Sequence, residues 1–461
     1  MTIAAALAER IAGVRYDDLP APALHWAKVA ILDTVGCTLA GSTEPCARIA
    51  DRVISGGASC GPSLIFGTER RATPLDAALI NGTASHALDY DDVSNTLGGH
   101  PSAPILPALF ALAEARNADG RALLTAFVTG FETETRIARG VNFHHYEKGW
   151  HPTATLGVFG ATAACCHLLG MPSDRIAVAL GLAASLASGV KANFGTMTKP
   201  LHVGHASRNG LLAALLADDG FTGNPGAFEH KQGFLLVFNG AGNFNPDAIL
   251  RDWGSPWDIE NPGVGIKQYP CCGSTHPAVD AMLTLVREHD LTPAAVARVD
   301  SWTHPRRLMH TNRPDPNSEL DAKFSVQYCL ARALADRRVV LEHFEGDAYR
   351  APAIRALLPR IHAAPIPEAT MNTSEHFGAT VQVTLTDGRV LSQTVRRAVG
   401  RGSDDPLPTE LVEAKFIDCA TRVLPPGTAR GLLTLLRGLD GVADINSVTQ
   451  AMQPQTALAA E

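Results

Sequence analysis

Two stretches without a charged side chain follow one another near the middle of the chain. Residues 149–173 and 176–190 contain no Asp, Glu, Lys or Arg. The first stretch is long enough to span a bilayer. However, it holds two histidines and two prolines among many small residues, so its hydropathy is weak. We therefore interpret both stretches as helices in the interior of a layered helical protein, with no membrane span.

The first 260 residues show one helical pattern after another, and no segment alternates like a half-buried strand for more than a few residues. Pro74 is typical of the first position of a helix, and Ser173 is a candidate N-cap residue. Helices are predicted over residues 20–40, 74–88, 103–116, 122–138, 153–169, 173–190 and 206–219.

The pattern changes near residue 265. Residues 296–302, 379–385 and 390–395 are predicted strands, and Asp387-Gly388 between the last two is typical of a hairpin turn. Helical patterns lie around these strands, at residues 278–287 and 323–335, and return from residue 407. The sequence therefore predicts a mainly α protein. Residues 1–267 and 400–461 form a large all-helical domain, and residues 268–399 form a smaller inserted α+β domain.

Charge and cysteine content limit the partners and the compartment. Lys and Arg total 39 against 46 Asp and Glu, a net charge of −7. This balance argues against nucleic acid or an anionic membrane as a partner. The nine cysteines form no C-x-x-C pair, and Glu9 and Arg10 interrupt any apolar leader. We expect a reduced, cytoplasmic protein.

Several familiar motifs are absent or lack their context. No G-x-G-x-x-G follows a strand and no P-loop occurs, so a nucleotide cofactor is unsupported. Residues 57–61 match G-x-S-x-G, but the following residues are not helical, as a nucleophile elbow requires. The pairs His144-His145 and His202/His205 lack the companions of a metal site. We therefore predict no cofactor and no metal.

His, Lys and Asp are dense at predicted helix ends within otherwise uncharged sequence. Helix starts offer free N–H groups to a carboxylate, and a lysine near apolar helices is a plausible base. Simpler interpretations stay open: packing between helices for His86, capping or solvation of a helix end for Asp91 and Asp92, and a structural role for His151. The segments concerned are residues 86–92, 99–102, 149–153, 191–200 and 267–272.

Four strings in this order resemble the MmgE/PrpD family over nearly the whole chain. They are HALDYDD…GHPSAPILPAL from residue 86, GWHPTATLGVFGA from 149, NFGTMTKPLHVGHASRNG from 193 and KQYPCCGSTHPAVDA from 267. The resemblance implies a helical domain, a smaller α+β lid domain and a homodimer. It also implies a small di- or tricarboxylate substrate and a site built without a cofactor.

The same resemblance implies which residues form the site. The implied catalytic residues are Asp89, His100, His151, Lys199 and Lys267, with Tyr146 as a second base of the epimerase-like branch. The implied substrate-binding residues are Cys272, His310 and Arg313. Three positions depart from the decarboxylase pattern: Val93 stands for a Thr, Cys272 for a His and His310 for a Tyr.

Three activities remain open at this point. The first is a lyase that dehydrates or decarboxylates its substrate next to a carboxylate. The second is an epimerase or isomerase of a substituted succinate that works by proton abstraction. The third is a non-catalytic protein that binds a polycarboxylate. The lyase reaction and the epimerase reaction both create negative charge next to a carboxylate, so the same cationic residues fit either of them.

Overall fold

The computed structural model describes residues 1–54, 56, 61–367 and 378–454. Residues 57–60 of the G-x-S-x-G match lie outside these ranges. The chain divides into two compact units, one formed by Met1–Ile266 with Gly402–Glu461 and the other by Lys267–Arg401. We call them the helical unit and the α+β unit and describe each by itself.

The helical unit consists mainly of α-helices. Those of the first segment are α1 (Ile3–Gly13), α2 (Ala21–Gly41), α3 (Pro45–Ile54), α4 (Pro74–Ser85), α5 (Ser102–Arg116), α6 (Gly120–Val141), α7 (His144–Lys148), α8 (Pro152–Thr155), α9 (Gly157–Leu168), α10 (Ser173–Leu186), α11 (Thr198–Asp218), α12 (Phe234–Asn239) and α13 (Pro246–Leu250). Those of the last segment are α19 (Thr409–Ala420), α20 (Pro426–Arg437) and α21 (Asn446–Gln450).

Small residues let the central helices of this unit approach closely. Helix α11 packs against α4 and α9, and α9 also packs against α6. A Cβ atom on Gly82 of α4 would lie 2.8 Å from the Cα of Gly204 on α11, so the two backbones are in contact there. Residues 157–166 of α9 are all buried, as predicted for the uncharged stretch. Among the described residues, no helix is long and apolar enough to cross a membrane.

Some local predictions for this unit are wrong. Two short antiparallel strands, β1 (Ser63–Leu64) and β2 (Arg71–Ala72), interrupt the helices, so the unit is not entirely helical. Ser173 is the first residue of α10, and the residue before it makes no side-chain cap. The helix predicted over residues 206–219 begins earlier, since α11 starts at Thr198 and Lys199 lies in its first turn.

A buried ion pair joins the two segments of the helical unit. The Lys415 ammonium on α19 lies 2.6 Å from Asp33 Oδ1 on α2 and donates a hydrogen bond to the Tyr90 carbonyl at 2.7 Å. It also lies 3.8 Å from the centre of the Tyr90 ring. Burial alone would lower the pKa of Lys415, but the Asp33 carboxylate raises it above its ordinary value. A charged lysine therefore holds the backbone between Asp89 and Asp91 through its hydrogen bond to the Tyr90 carbonyl.

The α+β unit contains a four-stranded sheet. Its strands are β3 (Val296–Thr303), β4 (Ile361–Pro365), β5 (Ala379–Leu385) and β6 (Val390–Val395), in the order β4-β3-β5-β6. The predicted hairpin is confirmed, since β5 and β6 pair antiparallel with Ala379 opposite Val395. Strand β4 pairs parallel with β3 and was not predicted, because Ile361–Pro365 is short and shows no alternation.

The helices of this unit are α14 (His276–His289), α15 (Pro305–Thr311), α16 (Glu319–Lys323), α17 (Val326–Asp336) and α18 (Pro352–Arg355). Helix α14 packs on β5 and β6 and against α17, so the core of this unit lies between the sheet and these helices. Over the described residues the chain is mainly α, as predicted. That the α+β unit acts as a lid stays a prediction.

Candidate active site

The turn between α4 and α5 carries the first group of predicted site residues. Helix α4 ends at Ser85, and His86 follows as its C-cap residue. Asp89 then adopts φ = 52°, a left-handed conformation that costs free energy for any residue with a Cβ atom. This reversal brings the side chains of Asp89 and Asp91 back towards His86 and His100.

Asp91 is shared by two histidines. Its carboxylate lies 2.8 Å from His86 Nδ1 and 3.1 Å from His100 Nδ1. The two imidazole rings meet edge to face with centroids 4.4 Å apart. Burial alone would raise the pKa of Asp91, but His100 and His86 hold it well below its ordinary value. Asp91 is therefore an anion that forms a hydrogen bond with His86 Nδ1 and lies in charge contact with His100 Nδ1.

Lys199 brings the cation to this cluster from the first turn of α11. Its ammonium donates a hydrogen bond of 2.7 Å to Asp89 Oδ1, and the same oxygen lies 3.5 Å from His100 Nε2. The Lys199 and Asp89 side chains are 8% and 5% exposed. The Lys199 ammonium also faces the Phe194 ring at 5.4 Å. A buried charge of each sign thus lies next to two imidazoles.

His151 approaches the cluster from the segment before α8. Its ring lies 5.7 Å from that of His86 and meets the Phe194 ring edge to face at 4.9 Å. Burial, with His86 and Lys199 nearby, lowers the pKa of His151 well below its ordinary value. The Thr153 hydroxyl accepts a hydrogen bond of 3.1 Å from the His100 backbone, which ties the two segments together.

His86 is neutral for the same physical reason. Burial lowers its pKa to about 3, although the neighbouring Asp91 opposes the shift. Its Nδ1 contacts Asp91, while its Nε2 is buried and has no hydrogen-bond partner within the described part of the chain. Donation from Nδ1 to Asp91 would leave Nε2 with its lone pair, as in histidines that act as bases or ligands.

Two further acidic residues, Asp92 and Glu134, lie near this turn. Asp92 accepts hydrogen bonds from the backbone and the hydroxyl of Ser102, the first residue of α5. Burial raises the pKa of Asp92, and burial together with Asp92 raises that of Glu134 on α6. Both carboxyls therefore hold a proton more readily than an exposed acid does. Asp92 fixes the start of α5 and with it the position of His100.

The structure gathers possible metal ligands that the sequence spacing did not reveal. One donor atom from each of four residues lies within 4.8 Å of the others, namely His86, Asp89, Asp91 and His100. Two imidazoles and two carboxylates would suit a transition metal. The Lys199 ammonium, however, already supplies a positive charge 2.7 Å from Asp89. The absence of a metal from the reaction stays a prediction.

The remaining predicted residues lie in the α+β unit. Lys267 is 3% exposed, and the Cys272 backbone N–H donates to the Lys323 carbonyl at 2.9 Å. His310 on α15 lies 3.1 Å from the Ser274 hydroxyl, so it is next to the turn that contains Cys272. Arg313 forms an ion pair with Asp321. A substrate-binding role for these residues stays a prediction.

Tyr146 and Val93 occupy defined positions in the helical unit. The Lys191 ammonium lies 3.4 Å from the centre of the Tyr146 ring, a cation–π contact at α7. Val93 is buried, and its backbone pairs antiparallel with Gly265. Nothing in these contacts tests whether Tyr146 acts as a second base.

The helical unit thus brings together Asp89, His100, His151 and Lys199, four residues that the sequence pointed to. The structure also places His86 and Asp91 in this cluster, although the sequence supported a structural role for each of them at least as well as a role in the site. His202 was not expected in the cluster, yet its Nδ1 lies 3.3 Å from Nδ1 of His151. Its position three residues after Lys199, on the same face of a helix, was the available signal.

Comparison with known proteins identifies the family of the chain. The sequence model of the MmgE/PrpD N-terminal domain matches residues 5–247, and that of the MmgE/PrpD C-terminal domain matches residues 269–440. The chain belongs to the MmgE/PrpD family. The resemblance seen in the sequence strings is therefore confirmed.

Curated MmgE/PrpD relatives match nearly the whole chain. The human protein named cis-aconitate decarboxylase is 30% identical over 98% of this chain and 95% of its own length. The mouse protein of the same name is 28% identical over 98% of this chain and 93% of its own. A cis-aconitate decarboxylase of Aspergillus terreus is 27% identical over 95% of this chain and 93% of its own.

Proposed function

We propose that this MmgE/PrpD protein is a lyase that decarboxylates cis-aconitate or a closely related tricarboxylate without a cofactor. The observation that carries the proposal is the buried cluster of Lys199, Asp89, His100 and His151, in a chain whose curated relatives carry that activity in their names. Family membership supports the lyase class, and the cluster supports proton transfer next to a bound anion.

Lys199 has the features of a carboxylate-binding group. It is 6% exposed, donates a hydrogen bond to Asp89 and lies in the first turn of α11, where backbone N–H groups point out of the N-terminal end of the helix. A tricarboxylate bound there would meet positive charge in an overall acidic protein. The same charge would stabilise the electron density that develops on carbon as CO₂ leaves.

A decarboxylation needs one proton for each turnover. The bond between carbon and the leaving carboxylate breaks, its electron pair stays on the organic fragment, and a proton then forms the new C–H bond. We assign that proton to Nε2 of His151, whose imidazole stays neutral because Nδ1 takes up a second proton in the same step. Burial, which lowers the pKa of His151, favours such a neutral ring over an imidazolium.

Proton NMR in D₂O tests the proposal with a panel of citrate-, aconitate- and succinate-type acids. We expect loss of the cis-aconitate signals, release of CO₂ and one deuterium in the product. Lys199→Ala should abolish the change, and Lys231→Ala, which alters an exposed lysine, should not. Deuterium uptake without loss of carbon would show an epimerase, loss of water a dehydratase, and binding without turnover a binding protein.

A further inference from the structure

His202 contacts the buried His151 from the more exposed side of α11. The Nδ1 atoms of the two histidines are 3.3 Å apart, and their ring centroids are 5.5 Å apart. His151 is 2% exposed, whereas His202 is only half-buried. His202 therefore joins an imidazole of the site to a position that solvent reaches.

Gly189 holds this pair of histidines in place. Its carbonyl accepts a hydrogen bond of 3.0 Å from the His151 backbone, and its φ of +131° is a conformation that residues with a side chain rarely adopt. A Cβ atom there would lie 3.4 Å from Cγ and Nδ1 of the His202 ring. The backbone at Gly189 thus fixes His151 on one side and packs on His202 on the other.

The contact between the two Nδ1 atoms limits which of these nitrogens can carry a proton at the same time. One Nδ1 must donate and the other accept, so the contact holds a single proton. Burial and Lys199 lower the pKa of His202, and burial also lowers that of His151. The neutral form of each ring is therefore favoured in the free protein, so neither ring retains a proton that it receives, and a proton can pass from one to the other.

We infer that His202 is the proton-transfer group through which His151 exchanges its proton with solvent. The inference rests on the proposed function for its role in turnover. As neutral His151 gives its Nε2 proton to carbon, its Nδ1 takes the proton that His202 Nδ1 donates to the contact, and His202 takes a replacement on its Nε2 from water or buffer. Both rings end in their other neutral tautomers, and proton exchange with solvent restores the first tautomers before the next turnover. One proton enters for each CO₂ released, so charge and atoms balance. His202 acts through His151 and needs no contact with the substrate.

His202→Asn is the appropriate variant for a kinetic test. An Asn side chain can place a hydrogen-bonding atom near the former Nδ1 but cannot pass a proton on. In weak buffer we expect kcat to fall by ~10-fold or more, within the range for lost proton transfer, with KM changed less than ~2-fold. Added imidazole should restore kcat as its concentration rises.

His205→Asn is the matched control. His205 lies three residues further along α11, is exposed, and contacts the Ser188 hydroxyl at 3.2 Å rather than His151. It should keep a wild-type kcat in all buffers. A kcat for His202→Asn that equals the wild type, or a loss that imidazole does not restore, would overturn the inference and leave His202 a packing or positioning role.

A second measurement requires no turnover. In protein labelled with ¹⁵N-histidine, the exchange rate of the His151 ring N–H with water can be followed by NMR. We expect slower exchange in His202→Asn than in the wild type and no change in His205→Asn. An unchanged rate would overturn the relay whatever the substrate is. If the acid panel gives no reaction, the proposed function fails, and this rate still decides the question for His202.

Discussion

The ion pair between Lys199 and Asp89 allows a quantitative prediction about stability as well as activity. At 2.7 Å the Coulomb attraction is about 6 kcal/mol with an effective dielectric constant of about 20. Desolvation of two largely buried charges offsets much of that gain. Loss of one partner alone leaves the other charge buried and unpaired, which typically costs ~3–5 kcal/mol. An exposed lysine at a helix end would contribute under ~1 kcal/mol.

The test is a double-mutant cycle with Lys199→Met, Asp89→Asn and the double variant, since Met keeps most of the side-chain volume. We expect each single variant to lower the free energy of unfolding by ~3 kcal/mol. The double variant should lose ~2–3 kcal/mol less than the sum, because neither charge then remains without its partner. Urea unfolding followed by circular dichroism measures these values. On a substrate that the wild type turns over, Lys199→Met should lower kcat by ~10²-fold or more.

Lys231→Met controls for the general effect of removing a lysine, because Lys231 is exposed. It should change neither stability nor kcat. Strictly additive losses, or a Lys199→Met variant within ~0.5 kcal/mol of the wild type, would refute the reasoning, since an exposed substitution has that effect. In that case the pair contributes no more than a surface contact.

Further predictions concern catalysis, metal, pH and assembly. His151→Ala should lower kcat by ~10²-fold or more in the NMR assay, and a rate near the wild type would remove His151 from the mechanism. Activity should survive exhaustive EDTA treatment, and its loss with recovery on adding a divalent ion would reveal a metal held by the group of His86, Asp89, Asp91 and His100. Burial lowers the pKa of His145 to about 4, so only the unfolded state takes up this proton between pH 6.5 and 4. The free energy of unfolding should therefore decrease as the pH is lowered through that window. The decrease should be up to ~1.4 kcal/mol per pH unit steeper in the wild type than in His145→Gln, and equal slopes in the two proteins would contradict this. Light scattering should give a homodimer of twice 48.7 kDa, and a monomer at micromolar concentration would exclude it.

The sequence predicted those parts of the molecule that depend on local pattern. The β5–β6 hairpin follows from alternation around Asp387-Gly388, and the buried helix α9 follows from the absence of charge in residues 149–173. Strand β4 has no such pattern and exists because it pairs with β3, which is a tertiary effect.

The candidate site shows the same division. Motif resemblance pointed to Asp89, His100, His151 and Lys199, but not to their mutual geometry. The left-handed turn at Asp89 places Asp91 between two histidines, and no local pattern in the sequence specifies that turn. His202 belongs to the group only because α11 packs beside the segment of His151.

The contact between Lys415 and the Tyr90 carbonyl joins residues 325 positions apart in the chain. Because a ribosome makes the chain from its first residue onward, the turn that carries Asp89 and Asp91 emerges long before the lysine that supports it. Until α19 has been synthesised and has docked, Asp33 lacks this cation and the turn lacks the hydrogen bond from Lys415. A nascent or truncated chain that stops before residue 409 should therefore lack a formed site, even though it contains His86, Asp91, His151 and Lys199. The segment that carries α19 thereby determines when the candidate site can first form during synthesis.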